Sequence, residues 1–218
     1  SGKTMLARAL RGILPPLSDK ELMEVILLQS TAGLAPSLLR ERPFRSVHHT
    51  ASTVALCGGG SHLRPGAISL ASRGVLFLDE FPEFNRDVIE ALRQPLEDGQ
   101  ITVSRASGSV VYPAKVLMVA ACNPCPCGYL GDPVERCTCS SGTLDRYRRR
   151  LSGPILDRID LHVSVPRLMP EELVAISGKC SESSADVRKR VKEARLRQEA
   201  RWKEFGFQAN SEVPEKIL

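Results

Sequence analysis

The hydrophobic pattern of the chain is clearest where a short apolar segment runs directly into two acids. Val75–Leu78 is wholly apolar, and Asp79 and Glu80 follow it. Four apolar residues in a row predict a buried strand of a parallel sheet, which here delivers carboxylates to its carboxyl edge. That edge is where open α/β sheets bind ligands. An acid that only caps the following loop would give the same pattern, so other residues must decide between the two interpretations.

A second apolar segment, residues 115–122, predicts another buried strand, and it ends in Asn123. An amide at a carboxyl edge can orient water against a γ-phosphate. An asparagine that only opens the turn before Pro124 is the alternative interpretation. Residues 161–165 alternate apolar and polar side chains and predict one further strand.

The remaining pattern predicts one hairpin, several helices and a long loop. Alternation on both sides of residues 106–108 predicts a β-hairpin over residues 99–112, with Arg105 near its tip. Residues 36–65 keep no period and predict a functional loop rather than an element of the core. Helical patterns cover residues 5–10, 18–28, 68–72, 88–97 and 186–203.

Composition and charge are those of a globular protein. The 218 residues suffice for one large core, or for one domain and a smaller one. No apolar run approaches the roughly 18 residues of a membrane span, and we expect a cytoplasmic protein without a membrane partner. The net charge of +5 comes from 30 Lys and Arg against 25 acids, which leaves room for basic patches that meet nucleic-acid phosphate.

The first residues resemble half of a phosphate-binding motif. Gly2, Lys3 and Thr4 precede a helical pattern, as in the second half of a P-loop, whose first glycine and preceding strand we expect to lie before residue 1. In such a motif Lys3 reaches the β- and γ-phosphates of ATP and Thr4 ligates Mg²⁺. Together with Asp79 at a strand end, the triplet makes a chance match a poor explanation.

Cysteines are concentrated in one polar segment. Five of the seven cysteines are in the segment from Cys122 to Cys139. Because we expect a cytoplasmic protein, we do not expect these cysteines to form a disulfide framework. Two C-x-C pairs, separated by nine residues, supply the thiols that a tetrahedral zinc site needs; they are Cys125, Cys127, Cys137 and Cys139. Free thiols are the alternative, since C-x-C is a less usual spacing than C-x-x-C.

Two further groups of residues carry candidate functional side chains outside these motifs. His48 and His49 are adjacent in the predicted loop, and such a pair without a neighbouring acid or cysteine favours loop contacts over metal ligands. Arg158 lies between apolar residues, so its side chain is expected to be held at a defined place.

Taken in order, these motifs resemble a known family. The Gly-Lys-Thr triplet, Asp79-Glu80, Asn123 and Arg158 are similar to those of AAA+ ATPases that carry inserts in helix 2 and before sensor 1. Four longer stretches resemble the magnesium-chelatase-like ComM/YifB family; they are residues 42–50, 64–71, 74–81 and 123–128. The resemblance covers residues 1 to about 165.

The resemblance implies an α/β fold, a P-loop AAA+ core with a parallel sheet flanked by helices, and it implies a hexameric homo-oligomer with ATP and Mg²⁺ between subunits. It makes Gly2, Lys3, Thr4 and Asp79 the nucleotide and magnesium residues, and Glu80, Asn123 and Arg158 the catalytic ones, with Arg158 acting on the neighbouring subunit. Residues 42–65 become the helix-2 insert and the hairpin becomes the pre-sensor insert. Arg105, His48 and His49 then face DNA in the pore.

The family's known role implies a motor that moves on DNA, a helicase acting in branch migration during natural transformation. We expect residues 1–167 to be the AAA+ core and residues 168–218 to begin a helical lid, whose sensor 2 arginine is not in this chain. Two alternatives stay open. One is a chelatase-type ATPase that remodels a protein partner, and the other is a non-enzymatic binding module stabilised by zinc.

Overall fold

The computed structural model describes residues 2–60, 63–106, 108–151, 153–167, 182–214 and 216–217. Its strands are β1 (Phe44–Val47), β2 (Gly58–Gly59), β3 (Arg64–Pro65), β4 (Val75–Leu78), β5 (Gln100–Arg105), β6 (Gly108–Pro113) and β7 (Leu117–Ala120). Its helices are α1 (Lys3–Ala9), α2 (Asp19–Thr31), α3 (Thr53–Cys57), α4 (Ala67–Leu70), α5 (Arg86–Ala91), α6 (Arg93–Asp98), α7 (Ser141–Arg150), α8 (Gly153–Leu156) and α9 (Ser184–Trp202).

The central sheet is parallel and has the order β1-β4-β7 among the described residues. Strand β4 lies in the middle, with Val75 opposite Phe44 on one side and Leu117 on the other. All four β4 side chains are 0% exposed, which confirms the predicted buried strand. A strand with neighbours on both sides and helices on both faces needs an unbroken apolar sequence, and β4 has one.

The two faces of β4 pack against different layers. Leu76 and Leu78 point into the larger core, which contains the buried side chains of Ile68 and Leu92. Phe77 points to the opposite face and packs against Ala7 of α1. The alternation of side chains along a strand therefore fixes α1 on one face and α4 to α6 on the other. This is the α/β architecture that the sequence predicts.

The prediction of a loop over residues 36–65 is wrong for part of that segment. Phe44–Val47 forms β1, the strand parallel to β4, so this part of the predicted helix-2 insert belongs to the main sheet. Phe44 packs against Phe77 with ring centroids 6.1 Å apart, and Val47 is buried. Arg45 and Ser46 interrupt the apolar pattern. An edge strand tolerates them because only part of its surface faces the core.

The close approach of β1 and β4 depends on one glycine. A Cβ atom added at Gly74 would lie 2.0 Å from the carbonyl oxygen of Pro43. No such contact is sterically possible, so any other residue at position 74 would push the two strands apart. Glycine directly before an apolar strand is therefore a requirement of strand pairing here.

The hairpin is confirmed, and Arg105 pairs with Gly108 at its last described rung. The helix predicted over residues 88–97 is interrupted, since α5 ends at Ala91 and α6 begins at Arg93. Pro95 explains the break: it has no N–H to donate to the carbonyl of Ala91, and its ring disfavours a continuous helix.

The strand predicted over residues 161–165 is wrong. The structure describes these residues without any regular element, and Leu161 and Val163 are 81% and 80% exposed. Alternation alone does not make a strand where no neighbouring strand pairs with it.

The carboxyl-terminal helix is confirmed as α9, which Ser183 caps by accepting a hydrogen bond from the N–H of Asp186. Its Arg188 donates from Nε to the carbonyl of Gly12 at 2.7 Å. The expected domain boundary at residues 167/168 adjoins residues that the structure does not describe, and it stays a prediction. Among the described helices, none combines the length and the apolar character needed to cross a membrane.

Candidate nucleotide site

The carboxyl ends of the three parallel strands bring the predicted site residues to one edge. His48 and His49 follow β1, Asp79 and Glu80 follow β4, and Asn123 comes shortly after β7. Parallel neighbours end at the same edge of a sheet, so residues that are far apart in sequence become neighbours there.

Thr4 and Asp79 form the first contact of the site. The hydroxyl of Thr4 donates to Oδ2 of Asp79 at 2.8 Å, and the other carboxylate oxygen accepts from the N–H of Glu80 at 3.0 Å. Gly2, directly before α1, adopts a left-handed conformation with φ 70°, which glycine reaches without strain. A hydroxyl and a carboxylate side by side are the oxygen ligands that Mg²⁺ prefers, so the donor set fits this ion.

Lys3 and Asn123 form the second contact. The Nζ atom of Lys3 donates to Oδ1 of Asn123 at 2.7 Å, across 120 residues of sequence. The ammonium group is thereby held over the same edge as Asp79. A cation, an amide and a carboxylate thus converge at one place, which is the arrangement that binds and orients a polyphosphate.

Glu80 stands at a sharp turn of the chain. Its backbone is left-handed, with φ 52° and ψ 45°, and its side chain is 51% exposed. The N–H of Phe81 donates to the carbonyl of Ala121 at 2.9 Å and holds the turn against the end of β7. A non-glycine residue in this conformation carries strain, which persists where surrounding contacts enforce it. The carboxylate is therefore presented to solvent at the site edge.

The structure gives the adjacent histidines a contact that sequence reasoning missed. Nδ1 of His49 is buried and lies 3.0 Å from Oε2 of Glu80, without hydrogen-bond alignment. The rings of His48 and His49 lie against each other at a tilt of 35° with centroids 4.0 Å apart, and Nδ1 of His48 is 3.0 Å from the hydroxyl of Thr50. The contact follows from β1 being a strand beside β4, which the sequence did not reveal. The assignment of both histidines to DNA stays a prediction.

The four predicted zinc ligands do come together. Sγ of Cys125 lies 3.3 Å from Sγ of Cys127 and 3.7 Å from that of Cys137, and the latter two sulfurs are 3.6 Å apart. All four ligand sulfurs, including that of Cys139, lie within 4.8 Å of one another. Around a tetrahedral zinc ion with Zn–S distances of about 2.3 Å, neighbouring sulfurs are about 3.8 Å apart. The measured separations fit that geometry.

The pKa values of Cys127 and Cys139 are shifted in opposite directions. Backbone N–H groups of Tyr129 and Thr138 stabilise the thiolate of Cys127 and lower its pKa to about 6. A backbone N–H at Cys127 acts in the same direction on Cys139, yet desolvation and the neighbouring thiols raise the pKa of Cys139 to about 12. The thiolate of Cys127 therefore forms more readily than that of Cys139.

Arg158 is paired within its own chain. Its Nη2 forms an ion pair with Glu97 of α6, and its Nη1 donates to the carbonyl of Pro154. Its Nε is buried without a hydrogen-bond partner among the described residues. The partner is Glu97 rather than either of the neighbouring acids Asp157 and Asp160. Its role at a neighbouring subunit stays a prediction.

Arg105 lies exposed at the hairpin tip beside a groove of about 330 Å³ that Gly58 and Gly59 share with β5. The same two glycines also line a second groove of about 330 Å³, together with Arg45 and Arg64. Sequence reasoning did not single out these two arginines. The only signal would have been their position on either side of the glycine-rich segment.

Helix α7 supplies two further contacts to the site. The hydroxyl of Tyr147 donates to the carbonyl oxygen of Asn123 at 3.1 Å. Burial raises the pKa of Tyr147 to about 12, so the hydroxyl keeps its proton. From the end of the helix, Arg150 donates to the carbonyl of Pro82 at 3.2 Å and to Glu83 at 2.7 Å. Neither residue was predicted, because both contacts are tertiary.

Comparison with known proteins identifies the sequence family. The family described as "Magnesium chelatase, subunit ChlI" matches residues 1–173. The chain is 49% identical over 200 residues to an uncharacterized protein YifB of Escherichia coli, which covers 91% of the chain and 39% of that protein. It is 45% identical over 221 residues to the competence protein ComM of Haemophilus influenzae, covering 99% of the chain and 42% of that protein.

More distant similarities are also found. The magnesium-chelatase 67 kDa subunit of Heliobacterium mobile is 26% identical over 197 residues, which is 76% of the chain and 29% of that protein. A structure of NtrX from Brucella abortus with ADP matches 37% of the chain and 19% of its own length, at 25% identity and a TM-score of 0.31. The chain spans less than half the length of the curated YifB and ComM relatives.

Proposed function

Since the chain belongs to the magnesium chelatase ChlI family, with a parallel AAA+ sheet at its centre, we propose that it forms the ATPase core of a ring-shaped motor. The observation that carries the proposal is the pairing of Lys3 with Asn123 and of Thr4 with Asp79 at the carboxyl edge of the sheet. Chance occurrence of the motifs would not bring these four side chains together.

The arrangement assigns each side chain a role with ATP. Lys3 binds the β- and γ-phosphates, and Thr4 and Asp79 hold Mg²⁺, which neutralises phosphate charge when it is bound. Asn123 is 2.7 Å from Lys3 and orients water beside the γ-phosphate. Glu80, exposed at the same edge, accepts the proton of that water or polarises it.

Completion of the site requires a second subunit. In the proposed homo-hexamer Arg158 serves the nucleotide of the neighbouring subunit, where its guanidinium stabilises charge on the transferred phosphoryl group. In the isolated chain the same guanidinium is paired with Glu97. Assembly therefore has to exchange this partner for the phosphate of the adjoining site.

The proposed substrate of the motor is DNA. Arg45, Arg64 and Arg105 surround the Gly58–Gly59 strand, and the two grooves there contain no acidic side chain among their described lining residues. Arginines beside an exposed glycine backbone suit a phosphate chain, which needs positive charge and close approach. The name of the ComM relative connects that protein with competence, and we propose a helicase that drives branch migration during DNA uptake.

The cysteine cluster is proposed to hold zinc. The sulfurs of Cys125, Cys127 and Cys137 are 3.3–3.7 Å apart and all four sulfurs lie within 4.8 Å of one another, which fits a tetrahedral tetrathiolate. Cys127, whose pKa is lowered to about 6 by backbone N–H groups, provides the first thiolate ligand. Few side chains of this segment are buried, so binding of a metal provides the stabilisation that packing does not.

A chelatase-type ATPase that remodels a protein partner is the second candidate, and the family match favours it. Both candidates use the same ATP site and differ in what stimulates turnover. The test is ATP hydrolysis by the full-length protein with branched DNA, with single strands and without DNA. Faster hydrolysis with branched DNA supports the DNA motor. Equal rates under all three conditions would favour the protein-remodelling ATPase.

A further inference from the structure

We infer that the four-cysteine cluster and helix α7 together position the catalytic turns at the sheet edge, so that zinc supports ATP hydrolysis without touching ATP. We call this unit, residues 124–150, the brace. The inference rests on the proposed ATPase function and on zinc in the cluster. It concerns how Asn123 and the turn at Glu80 are held in place.

Chain connectivity places the brace directly on Asn123. Only Pro124 separates Asn123 from Cys125, and Cys125 is 0% exposed. At the other end of the cluster, Ser140 follows Cys139 and caps α7 by accepting a hydrogen bond from the N–H of Thr143. A metal bound by the four sulfurs would therefore tie the end of the β7 segment to the beginning of α7.

Helix α7 returns to the site from its other end. The Tyr147 side chain is 8% exposed, and its hydroxyl donates to the carbonyl oxygen of Asn123. The backbone of Asn123 is thus held from two sides, by Cys125 along the chain and by Tyr147 across space. Because Oδ1 of Asn123 accepts from Lys3, a shift of this backbone would move the amide away from the phosphate site.

The same helix also fixes the turn after β4. Arg150 donates to the carbonyl of Pro82, two residues beyond Glu80, and pairs with Glu83. The N–H of Phe81 donates to Ala121, which joins this turn to the end of β7. Tyr147 and Arg150 lie three positions apart on one face of the helix. One helix face therefore contacts both turns that carry candidate catalytic groups.

Residues 123–140 need a bound metal to connect Asn123 rigidly to the start of α7. The structure describes residues 123–140 without helix or strand, and most of their side chains are exposed or half-buried. The described backbone hydrogen bonds of this segment are local. For example, the N–H of Gly128 donates to the carbonyl of Cys125, and the N–H of Asp132 donates to the carbonyl of Tyr129. Ordering such a loop costs conformational entropy that burial here does not offset. Metal ligation supplies the long-range connection between its two ends.

The test uses Tyr147→Phe in the full-length protein, with Tyr129→Phe as the matched control. Tyr129 lies in the same segment and is 42% exposed, and its hydroxyl has no hydrogen bond among the described residues. Tyr147→Phe should keep about one zinc per chain, since it removes no ligand. Its kcat should fall about three- to tenfold, the effect of losing one positioning hydrogen bond. Its KM for ATP should change less than about twofold, because Lys3 is intact.

Wild-type kcat and KM in Tyr147→Phe would overturn the inference, and so would an equal loss in Tyr129→Phe. A second readout does not depend on hydrolysis: amide hydrogen exchange of the peptide around residues 117–124. Exchange there should become faster in Tyr147→Phe and in Cys125→Ser, which lacks one ligand. Exchange at the wild-type rate in both variants would refute the brace. Absence of ATP hydrolysis by the wild-type protein would refute the proposed function instead, and the exchange result would still decide the inference.

Discussion

Substitution of Arg158 separates a role at the neighbouring subunit from a role within its own chain. In the structure Arg158 pairs with Glu97, and the two side chains are 27% and 48% exposed. An ion pair at such a partly exposed position contributes about 0–1 kcal/mol to stability. Loss of the pair alone would therefore leave the fold, and with it the ATP site, nearly unchanged.

An arginine finger makes a much larger contribution to the reaction. Such residues raise turnover about a thousandfold or more, which corresponds to about 4 kcal/mol of transition-state stabilisation at about 1.4 kcal/mol per factor of ten. We therefore predict that Arg158→Ala lowers kcat by about three orders of magnitude. Affinity for ATP should stay close to that of the wild type, because Lys3 and Thr4 are intact.

Glu97→Gln is the matched control. This variant removes the same ion pair but keeps the guanidinium of Arg158. If Arg158 only holds α6 in place, both variants should lose turnover to the same extent. If Arg158 is a finger, Glu97→Gln should retain or raise turnover, since the guanidinium is released from its intrachain partner.

The assay is steady-state ATP hydrolysis by each full-length variant, together with the affinity for a fluorescent ATP analogue. Mixing Arg158→Ala with Lys3→Ala should restore part of the activity, because some interfaces then combine an intact Lys3 with an intact Arg158. Subunit exchange must first be confirmed by energy transfer between labelled subunits. Confirmed exchange without any gain in turnover, at every mixing ratio, would refute the assignment of Arg158 to the neighbouring site.

Three further predictions follow from the described contacts. Full-length protein purified without chelator should contain about one zinc per chain by elemental analysis, and metal-free protein would refute the tetrathiolate. Arg105→Ala should weaken DNA binding and reduce its salt dependence by about one counterion with little change in melting temperature, whereas lost stability with normal affinity would make the hairpin tip structural. Gly74→Ala should destabilise the fold by about 1–3 kcal/mol in urea because its Cβ would meet Pro43 at 2.0 Å. Gly142→Ala has open space around it and should leave the urea midpoint nearly unchanged.

The sequence predicts the central strand and the candidate residues that gather at its carboxyl end, because their signals are local. The four apolar residues of β4 are uninterrupted, and the acids that follow are visible directly. The cysteine cluster could likewise be anticipated, since four thiols in a polar segment have few other uses. In both cases one short stretch of sequence contains the whole signal.

Strand β1 was not predicted, because the contacts that define it as a strand are made with β4 and are not visible in its own sequence. Arg45 and Ser46 break the apolar run, and the strand is recognised only through Phe44 against Phe77 and the backbone bonds to β4. The opposite error occurred at residues 161–165, where an alternating pattern has no strand to pair with. Strand formation depends on a partner, and a partner is not encoded in the segment itself.

Contacts between distant elements account for what was missed in the site. His49 meets Glu80 only because β1 lies beside β4, and Tyr147 meets Asn123 only because α7 folds back across the sheet edge. Arg158 was predicted to be held in place, but its partner Glu97 lies in α6, which is distant in the sequence. Residue chemistry can be inferred from sequence, while these pairings require the fold.

The central claim is that the residues at the carboxyl edge of the sheet hydrolyse ATP, and Glu80→Gln tests it most directly. The substitution keeps the size of the side chain and removes only the charge that activates water. The measurement is ATP affinity and single-turnover hydrolysis of the full-length variant beside the wild type. The account predicts wild-type affinity with turnover reduced about a hundredfold or more, and turnover near that of the wild type would contradict it.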